Sequence, residues 1–299
     1  MENVENTVGV LKQKRKKLNV LQVVLLICLI LYTLILTTLF VWAIITSLKD
    51  SREFRLNTYK WPNKASINNY INAFSEFSIK VKTGRRVSML EMYWNSALYC
   101  FGTAFLGTLI PCITAYCCSK FKYFLSKVVS TVVVITMIIP VVGAEPAAIN
   151  MARTFGFYDK IWGLWAMAAT FCGMYFLVFE AVFNSFPNDY AEAAEIDGAS
   201  NFTIMARIIL PLVKNTFATV MLILFIQRWN DYSAPAIYLP THPTIANGVF
   251  LFASSLDAAK SPVTMKVTGA MLVFIPMLIV FAVFNGRLMG NLTMGGIKG

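Results

Sequence analysis

Charged side chains are scarce in this chain: only 14% of its 299 residues are Asp, Glu, Lys or Arg, whereas 57% are hydrophobic. Soluble domains carry about a quarter charged residues, so this deficit argues against an ordinary soluble fold. Several runs of roughly 20 residues lack any charge, which is enough for a helix to cross about 30 Å of hydrocarbon. Because no alternating ten-residue segments predict a barrel, we expect an all-α integral membrane protein.

Groups that bind metals, nucleotides or nucleic acids are also rare. His242 is the one histidine, and the six cysteines lie in or beside apolar runs, so we expect packing residues and no metal site. The sequence has no phosphate loop of the form G-x-x-x-x-G-K-[ST], so any energy from ATP must come through another polypeptide. The net charge of +11 flanks the apolar runs, as in membrane anchoring, and does not predict nucleic-acid binding.

Six apolar segments predict six transmembrane helices in one membrane domain, residues 1–299. They cover about 18–48, 94–116, 128–148, 161–183, 212–232 and 267–284. The third contains Pro140 and a Gly143-Ala144-Glu145-Pro146 break, which is tolerated where backbone is buried in protein or lines a cavity. The outer loop, residues 49–93, contains a turn followed by a short amphipathic helix.

The distribution of positive charge predicts the orientation. Lysine and arginine are concentrated in the tail 1–17 and in the loop 117–127, which favours cytoplasmic termini. The outer loop runs against this rule, because it carries nine Lys and Arg residues between Lys49 and Arg86. Counting the short loops, we expect both termini in the cytoplasm.

A polar insert, residues 187–211, separates the fourth and fifth spans and is too short and too polar to cross. Its early acids recur at a spacing of three and share one helix face; they are Asp189, Glu192 and Glu195. Gly198 permits a left-handed cap, and Ser200 can cap a second helix. An apolar stripe is expected on that helix from Phe202, Met205, Ala206 and Ile209. These features alone leave an interfacial loop and a docking element equally open.

The order of residues in the insert indicates a docking element. The insert contains Glu192-Ala193-Ala194, followed by three residues, Gly198, nine residues, Ile208, one residue and Leu210-Pro211. This order resembles the EAA loop of inner-membrane subunits of binding-protein-dependent ABC importers. Shorter matches resemble the carbohydrate-uptake branch, especially its maltose-type second permease and polysaccharide-importer relatives; they are Asn69-Tyr70, Asn95-Ser96 and Trp229-Asn230-Asp231. Glu180 and Asn215 depart from the family pattern, which often has arginine and proline there.

The resemblance implies a type I ABC importer permease fold in the bacterial cytoplasmic membrane. It also implies that the insert couples to an ATPase through Glu192, Ala193, Ala194, Asp197, Gly198, Ala199, Phe202, Leu210 and Pro211. The implied partners are a homologous second permease, a dimeric ABC ATPase that binds ATP and Mg, and an extracellular solute-binding protein that delivers a sugar. This chain is then not an enzyme and holds no cofactor, and its C-terminal tail, residues 292–299, is a further candidate for ATPase contact.

Polar residues at the outer end of the fifth span are candidates for the substrate pathway. Charges at membrane depth normally face a cavity or a partner, and sugars are held by aromatic faces and hydrogen-bonding groups. The candidates are Arg228, Trp229, Asn230, Asp231, Tyr232 and Glu145. Arg228 and Asp231 are three residues apart and can pair along a helix. An interfacial anchor is the alternative explanation, since Trp and Tyr favour that depth.

Two other classes of protein have less support in the sequence. An ion-coupled secondary transporter or channel would work without an ATPase, but it needs intramembrane acids, and the spans offer few beyond Glu145, Glu180 and Asp231. A membrane-embedded enzyme would need a His/Asp cluster, a Ser/Lys pair or a metal motif, none of which the sequence contains. We expect Glu180 to make a structural pairing near the insert and His242 to be an ordinary loop residue.

Overall fold

The computed structural model describes residues 19–121, 123–139, 143–187, 189–254 and 262–292. The predicted cytoplasmic tail, residues 1–17, lies outside the described residues. So does the C-terminal tail beyond residue 292.

Helices make up most of the described chain. They are α1 (Val20–Ser47), α2 (Ser51–Leu56), α3 (Asn68–Glu76), α4 (Met89–Lys120), α5 (Phe124–Ile138), α6 (Ala144–Thr154), α7 (Ile161–Ala168), α8 (Met174–Ser185), α9 (Asp189–Ile196), α10 (Asn201–Thr203), a π-helix (Ile204–Ile209), α11 (Leu210–Leu212), α12 (Lys214–Asn230), α13 (Ser233–Tyr238), α14 (Ile245–Ala253) and α15 (Val263–Leu292). One hairpin joins β1 (Ser78–Lys80) to β2 (Arg86–Ser88). The all-α prediction is therefore confirmed except for this hairpin.

Three helices in the described part of the chain are long and apolar enough to cross a membrane: α1, α4 and α15. A fourth crossing forms if residues 201–212 and α12, which meet at an angle of 72°, count as one bent span. α1, α4, α12 and α15 coincide with the predicted first, second, fifth and sixth spans, whereas residues 201–211 of the bent pair belong to the predicted insert. α4 is the central helix, because α7, α8, α12 and α14 all pack against it.

The predicted third and fourth spans are not continuous helices. α5 has 15 residues and α8 has 12, so each is shorter than the roughly 20 residues that a straight crossing needs. α5 stops because Ile139 precedes a proline and adopts an extended conformation, ψ 111°. α8 starts after Gly173, whose φ is +142°, so the chain is broken between α7 and α8. The lengths of these helices do not confirm the count of six spans.

The outer loop between α1 and α4 has more structure than the sequence predicted. α3 is the expected short amphipathic helix. The hairpin was not predicted. It pairs Ser78 with Ser88 and Lys80 with Arg86 in an antiparallel register. Val81 and Val87 of this hairpin are buried in the core, so it is fixed to the helices.

Two hydrophobic clusters, at opposite ends of α4, hold the molecule together. The outer cluster packs the hairpin and α3 against the start of α4, with Tyr99, Trp229 and Leu239 at its centre. The inner cluster packs α4, α8 and α12 against the insert, and includes Tyr116 and Phe183. Each end of the bundle therefore presents a rigidly supported surface.

Candidate coupling loop and outer-end cluster

The first arm of the insert is α9, and it lies against the inner end of the bundle. Ala191 and Ala194 are buried in the inner cluster, and Ala194 is only 8% exposed. Their small side chains let the backbone of α9 come close to the bundle. Ala193, by contrast, is exposed.

The two arms are joined by the predicted left-handed cap. Gly198 has φ +80° and its N–H donates to the carbonyl of Glu195 at 3.0 Å. The N–H of Ala199 donates to the carbonyl of Ala194 at 2.9 Å. These two bonds form a Schellman motif, which ends a helix by satisfying its last carbonyls. The bend is therefore fixed by backbone hydrogen bonds.

The second arm begins as predicted but continues differently. The hydroxyl oxygen of Ser200 accepts from the N–H of Thr203 at 3.3 Å, as an N-cap does. A π-helix follows, in which bonding runs from i to i+5. Ile204 and Ile209, five apart, consequently share the buried side. Of the expected apolar stripe, Phe202 is 72% exposed, whereas Ile209 is buried.

The solvent-facing surface of the insert combines acids with large apolar side chains. The three predicted acids, Asp189, Glu192 and Glu195, are all exposed, and so are Asp197 and Pro211. Glu195 forms a salt bridge of 3.8 Å to Lys120 at the end of α4. Ile196 is 87% exposed. Ala199 and Leu210 are half-buried.

At the opposite end of the bundle, Asp231 connects three helices. Its Oδ2 is 3.5 Å from the Arg228 guanidinium, which confirms the predicted pairing, and accepts from the Tyr99 hydroxyl at 3.2 Å. Its Oδ1 accepts from the N–H groups of Ser233 at 2.9 Å and Ala234 at 3.1 Å. Asp231 thus caps α13 and ties it to α4 and α12.

Trp229 is a core residue in this conformation. It is 6% exposed, lies beside the rings of Tyr93 and Phe225, and donates its indole N–H to the carbonyl of Val273 at 3.0 Å. This packing leaves its ring faces covered, contrary to the idea that they stack on a sugar. Asn230 and Tyr232 are the exposed members of the segment.

Glu145 lies in the first turn of α6, on the surface. Its Oε2 accepts from the hydroxyl of Tyr238 at 3.0 Å. Burial raises the pKa of Tyr238, and the hydrogen bond and negative charge of Glu145 raise it further. Glu145 therefore ties α6 to α13.

Comparison with known proteins identifies the family of this chain. Residues 107–292 match the model of the binding-protein-dependent transport system inner membrane component. The chain belongs to this family. That match covers the insert and the whole of α12, including Arg228, Trp229 and Asn230 at its outer end.

Curated relatives of this permease cover most of the chain. It is 25% identical over 280 residues to the diacetylchitobiose uptake system permease protein NgcG of Streptomyces coelicolor, covering 90% of this chain and 87% of the relative. It is 29% identical over 216 residues to the maltodextrin transport system permease protein MdxG of Bacillus subtilis, covering 70% and 76%. The type I permease fold is shared with a chain in the crystal structure of a bacterial ABC transporter involved in the import of the acidic polysaccharide alginate (TM-score 0.70, 22% identity, 88% and 95% covered).

Sequence reasoning missed the environment of His242. Its Nδ1 is 3.5 Å from Oδ1 of Asp159, whose carboxylate also accepts from the N–H of Thr241 at 3.0 Å and from its hydroxyl at 2.7 Å. His242 lies in the loop between α13 and α14, as expected, but the carboxylate beside it was not expected. Asp159 lies 83 positions earlier in the chain, so local pattern gave no signal. Among the described residues no three metal-binding side chains cluster here or elsewhere.

Glu180 makes the expected structural pairing. Its Oε1 accepts from the hydroxyl of Ser130 at 2.6 Å, which joins α8 to α5. Both residues line an open cavity of about 690 Å³ that also includes Lys127. The hydroxyl of Ser130 thus gives a hydrogen bond to the carboxylate of Glu180, at a position where the family pattern often has arginine.

Proposed function

We propose that this permease translocates a sugar, an oligosaccharide or a polysaccharide, in an ATP-driven importer. The support is the agreement of its relatives, which are named as permeases for diacetylchitobiose and maltodextrin, with a fold shared with an alginate importer. An ion-coupled transporter is not favoured, because Asp231 and Glu180 are both engaged within the chain. The sugar reaches the permease from an extracellular solute-binding protein.

The attachments at the two ends of α4 support opposite sides of the membrane for the outer loop and the insert. This helix has 32 residues and is therefore about 48 Å long. The basic outer loop is attached at its first turn, where Arg85 pairs with Glu91 at 2.7 Å. The insert is attached at its last turn through Lys120. We place the insert, residues 187–211, in the cytoplasm with both termini, and the outer loop outside the bacterial cytoplasmic membrane.

The insert is the contact with the ATPase. Ile196 and Phe202 are exposed on either side of the bend at Gly198. Exposed apolar side chains beside charges are typical of a docking surface. The dimeric ATPase would bind ATP and Mg, and a homologous second permease would complete the translocation path. The Gly198 cap keeps the two arms in one rigid unit, so that movement of the ATPase reaches α12.

The test is assembly and coupled ATP hydrolysis of the reconstituted complex. We expect Ile196→Asp with Phe202→Asp to prevent ATPase association and to abolish stimulation of hydrolysis by the binding protein. The matched control is Leu56→Asp with Phe155→Asp, since both side chains are exposed apolar residues far from the insert. The proposal is contradicted if the insert variant assembles and hydrolyses ATP like the control.

The outer-end residues divide into two roles. Asn230 and Tyr232 are exposed and are proposed to contact the sugar directly. Trp229, Asp231 and Glu145 are proposed to position the outer helices around the path, because each contacts another element, and Arg228 is proposed to support Asp231, with which it pairs. Replacing Asn230 or Tyr232 by Ala is expected to change the preference among oligosaccharides and to leave ATPase assembly unchanged.

A further inference from the structure

An open cavity lies at the inner end of the bundle, between the two predicted spans that are not continuous helices. It has a volume of about 690 Å³ and is lined from α5 by Lys127 and Ser130 and from α8 by Glu180. Cys118, near the end of α4, also lines it. Pockets that bind small molecules have volumes of about 300–1,000 Å³, and this cavity falls within that range.

The two broken spans explain why polar side chains can lie here. α5 has 15 residues and α8 has 12, so neither crosses the membrane as one straight helix. Interrupted helices at membrane depth are tolerated where they border protein or a water-filled cavity, and in transporters they mark the solute site. Glu180 precedes the end of α8 at Ser185 by five residues, which is about 7.5 Å of helix. The cavity therefore lies at the end of the bundle that carries the insert.

Two opposite charges line the cavity without neutralising each other. Lys127 and Glu180, both in the described part of the chain, form no salt bridge with each other. Oε1 of Glu180 accepts from the hydroxyl of Ser130, and the second carboxylate oxygen can accept from a solute. Lys127 is exposed whereas Glu180 is half-buried, so water screens the positive charge more strongly. The negative charge therefore has the larger effect on a solute in the cavity.

Aromatic rings add the second kind of group that sugars require. Tyr123 and Phe124 line the cavity, and both side chains are exposed. Sugars are held by aromatic faces together with hydrogen-bonding groups. A phospholipid headgroup fits less well, because its phosphate would lie beside the Glu180 carboxylate, and Lys127 is the one cation among the described residues that line the cavity.

We infer that this cavity is a sugar-binding subsite at the cytoplasmic end of the translocation path, and that Glu180 makes it favour neutral over acidic oligosaccharides. The Glu180 carboxylate accepts from sugar hydroxyls, whereas it repels the carboxylate of an acidic sugar. Ser130 holds the Glu180 carboxylate in place. This inference rests on the proposed function, which supplies the solute and the direction of its movement.

Protection of a thiol in the cavity measures occupancy of the subsite. The complete importer, with its second permease and ATPase, is held in nanodiscs without ATP and carries Thr131→Cys, at an exposed lining position. Alkylation of this thiol by N-ethylmaleimide is followed by mass spectrometry, with Cys172, which does not line the cavity, as the reference. The probes are maltotriose, diacetylchitobiose and an acidic trisaccharide from alginate. We expect a neutral probe to slow alkylation by about threefold or more, and the acidic probe to bind about fivefold more weakly.

Two variants that remove opposite charges test the role of Glu180. Glu180→Gln keeps an oxygen that can accept from Ser130 but removes the negative charge, so discrimination against the acidic probe should fall by about fivefold. Lys127→Gln removes the cation, so the discrimination should increase. The control Glu53→Gln removes the same charge from α2, outside the cavity, and should stay within about twofold of the unchanged complex. A purely structural role would not move the two cavity variants in opposite directions.

Other outcomes would contradict the inference. Equal or stronger protection by the acidic probe, or equal shifts in Glu180→Gln and Glu53→Gln, would overturn the role of Glu180. Alkylation that depends on the lipid of the nanodisc and on none of the sugars would overturn the subsite in favour of a lipid contact. ATP-driven uptake of a probe that gives no protection would overturn the inference and leave the proposed function intact. If no probe were taken up or gave protection, both would be refuted.

Discussion

Gly198 offers a quantitative test of the geometry of the coupling loop. Its φ of +80° lies in the left-handed region, and an added Cβ would meet no atom within 4 Å. Gly198→Ala therefore costs conformational energy without a clash, about 1–2 kcal/mol. The ratio of open to capped forms should rise by about 5- to 30-fold. Gly198→Asn should raise it less, because asparagine tolerates this region better.

Hydrogen–deuterium exchange of the assembled complex measures this ratio directly. The reporting amides are those of Gly198 and Ala199, which donate to the carbonyls of Glu195 and Ala194. Exchange should rise in the order glycine, asparagine, alanine at residue 198. The loss of coupling between binding protein and ATPase should follow the same order. An alanine variant that exchanges like wild type, or an asparagine variant that exchanges as fast as alanine, would refute the reasoning.

Three further predictions concern the outer end. Trp229→Phe leaves the Val273 carbonyl without its indole donor. It should lower the free energy of unfolding, measured by chemical denaturation, by about 1–3 kcal/mol. Trp229→Ala should lower it by about 3–5 kcal/mol in the same assay. Asp159→Ala should destabilise by about 1–2 kcal/mol more than Asp159→Asn in the same assay, because φ at this position is +59°. The raised pKa of Tyr238 means that its contribution to stability is complete below its ordinary pKa of about 10 and is lost as the pH rises further. Thermal unfolding against pH should therefore show a smaller alkaline loss of stability for Tyr238→Phe than for wild type.

Local chemistry made the coupling loop predictable from sequence. The cap at Gly198 and the N-cap at Ser200 depend on residues a few positions apart, and the structure confirms both. The burial of Ala194 and the exposure of Phe202 depend on how the loop lies on the bundle and on a π-helix that no local signal announced.

The outer end was less predictable because its contacts join distant parts of the chain. The Trp229 indole reaches Val273, and the Asp159 carboxylate reaches Thr241. Neither contact produces a periodic pattern in the sequence from which it could be predicted. The apolar runs predicted where helices lie, but the break near Ile139 shows that hydrophobicity alone does not tell a straight span from a broken one.

Uptake of a labelled oligosaccharide into proteoliposomes tests the central claim most directly. The vesicles contain this permease, its second permease and the ATPase, with ATP on the side of the coupling loop and the solute-binding protein on the other. We predict that uptake requires both ATP and the binding protein, and that vesicles holding this chain alone show none. Uptake by the purified chain alone, driven by an ion gradient without ATP, would contradict the account.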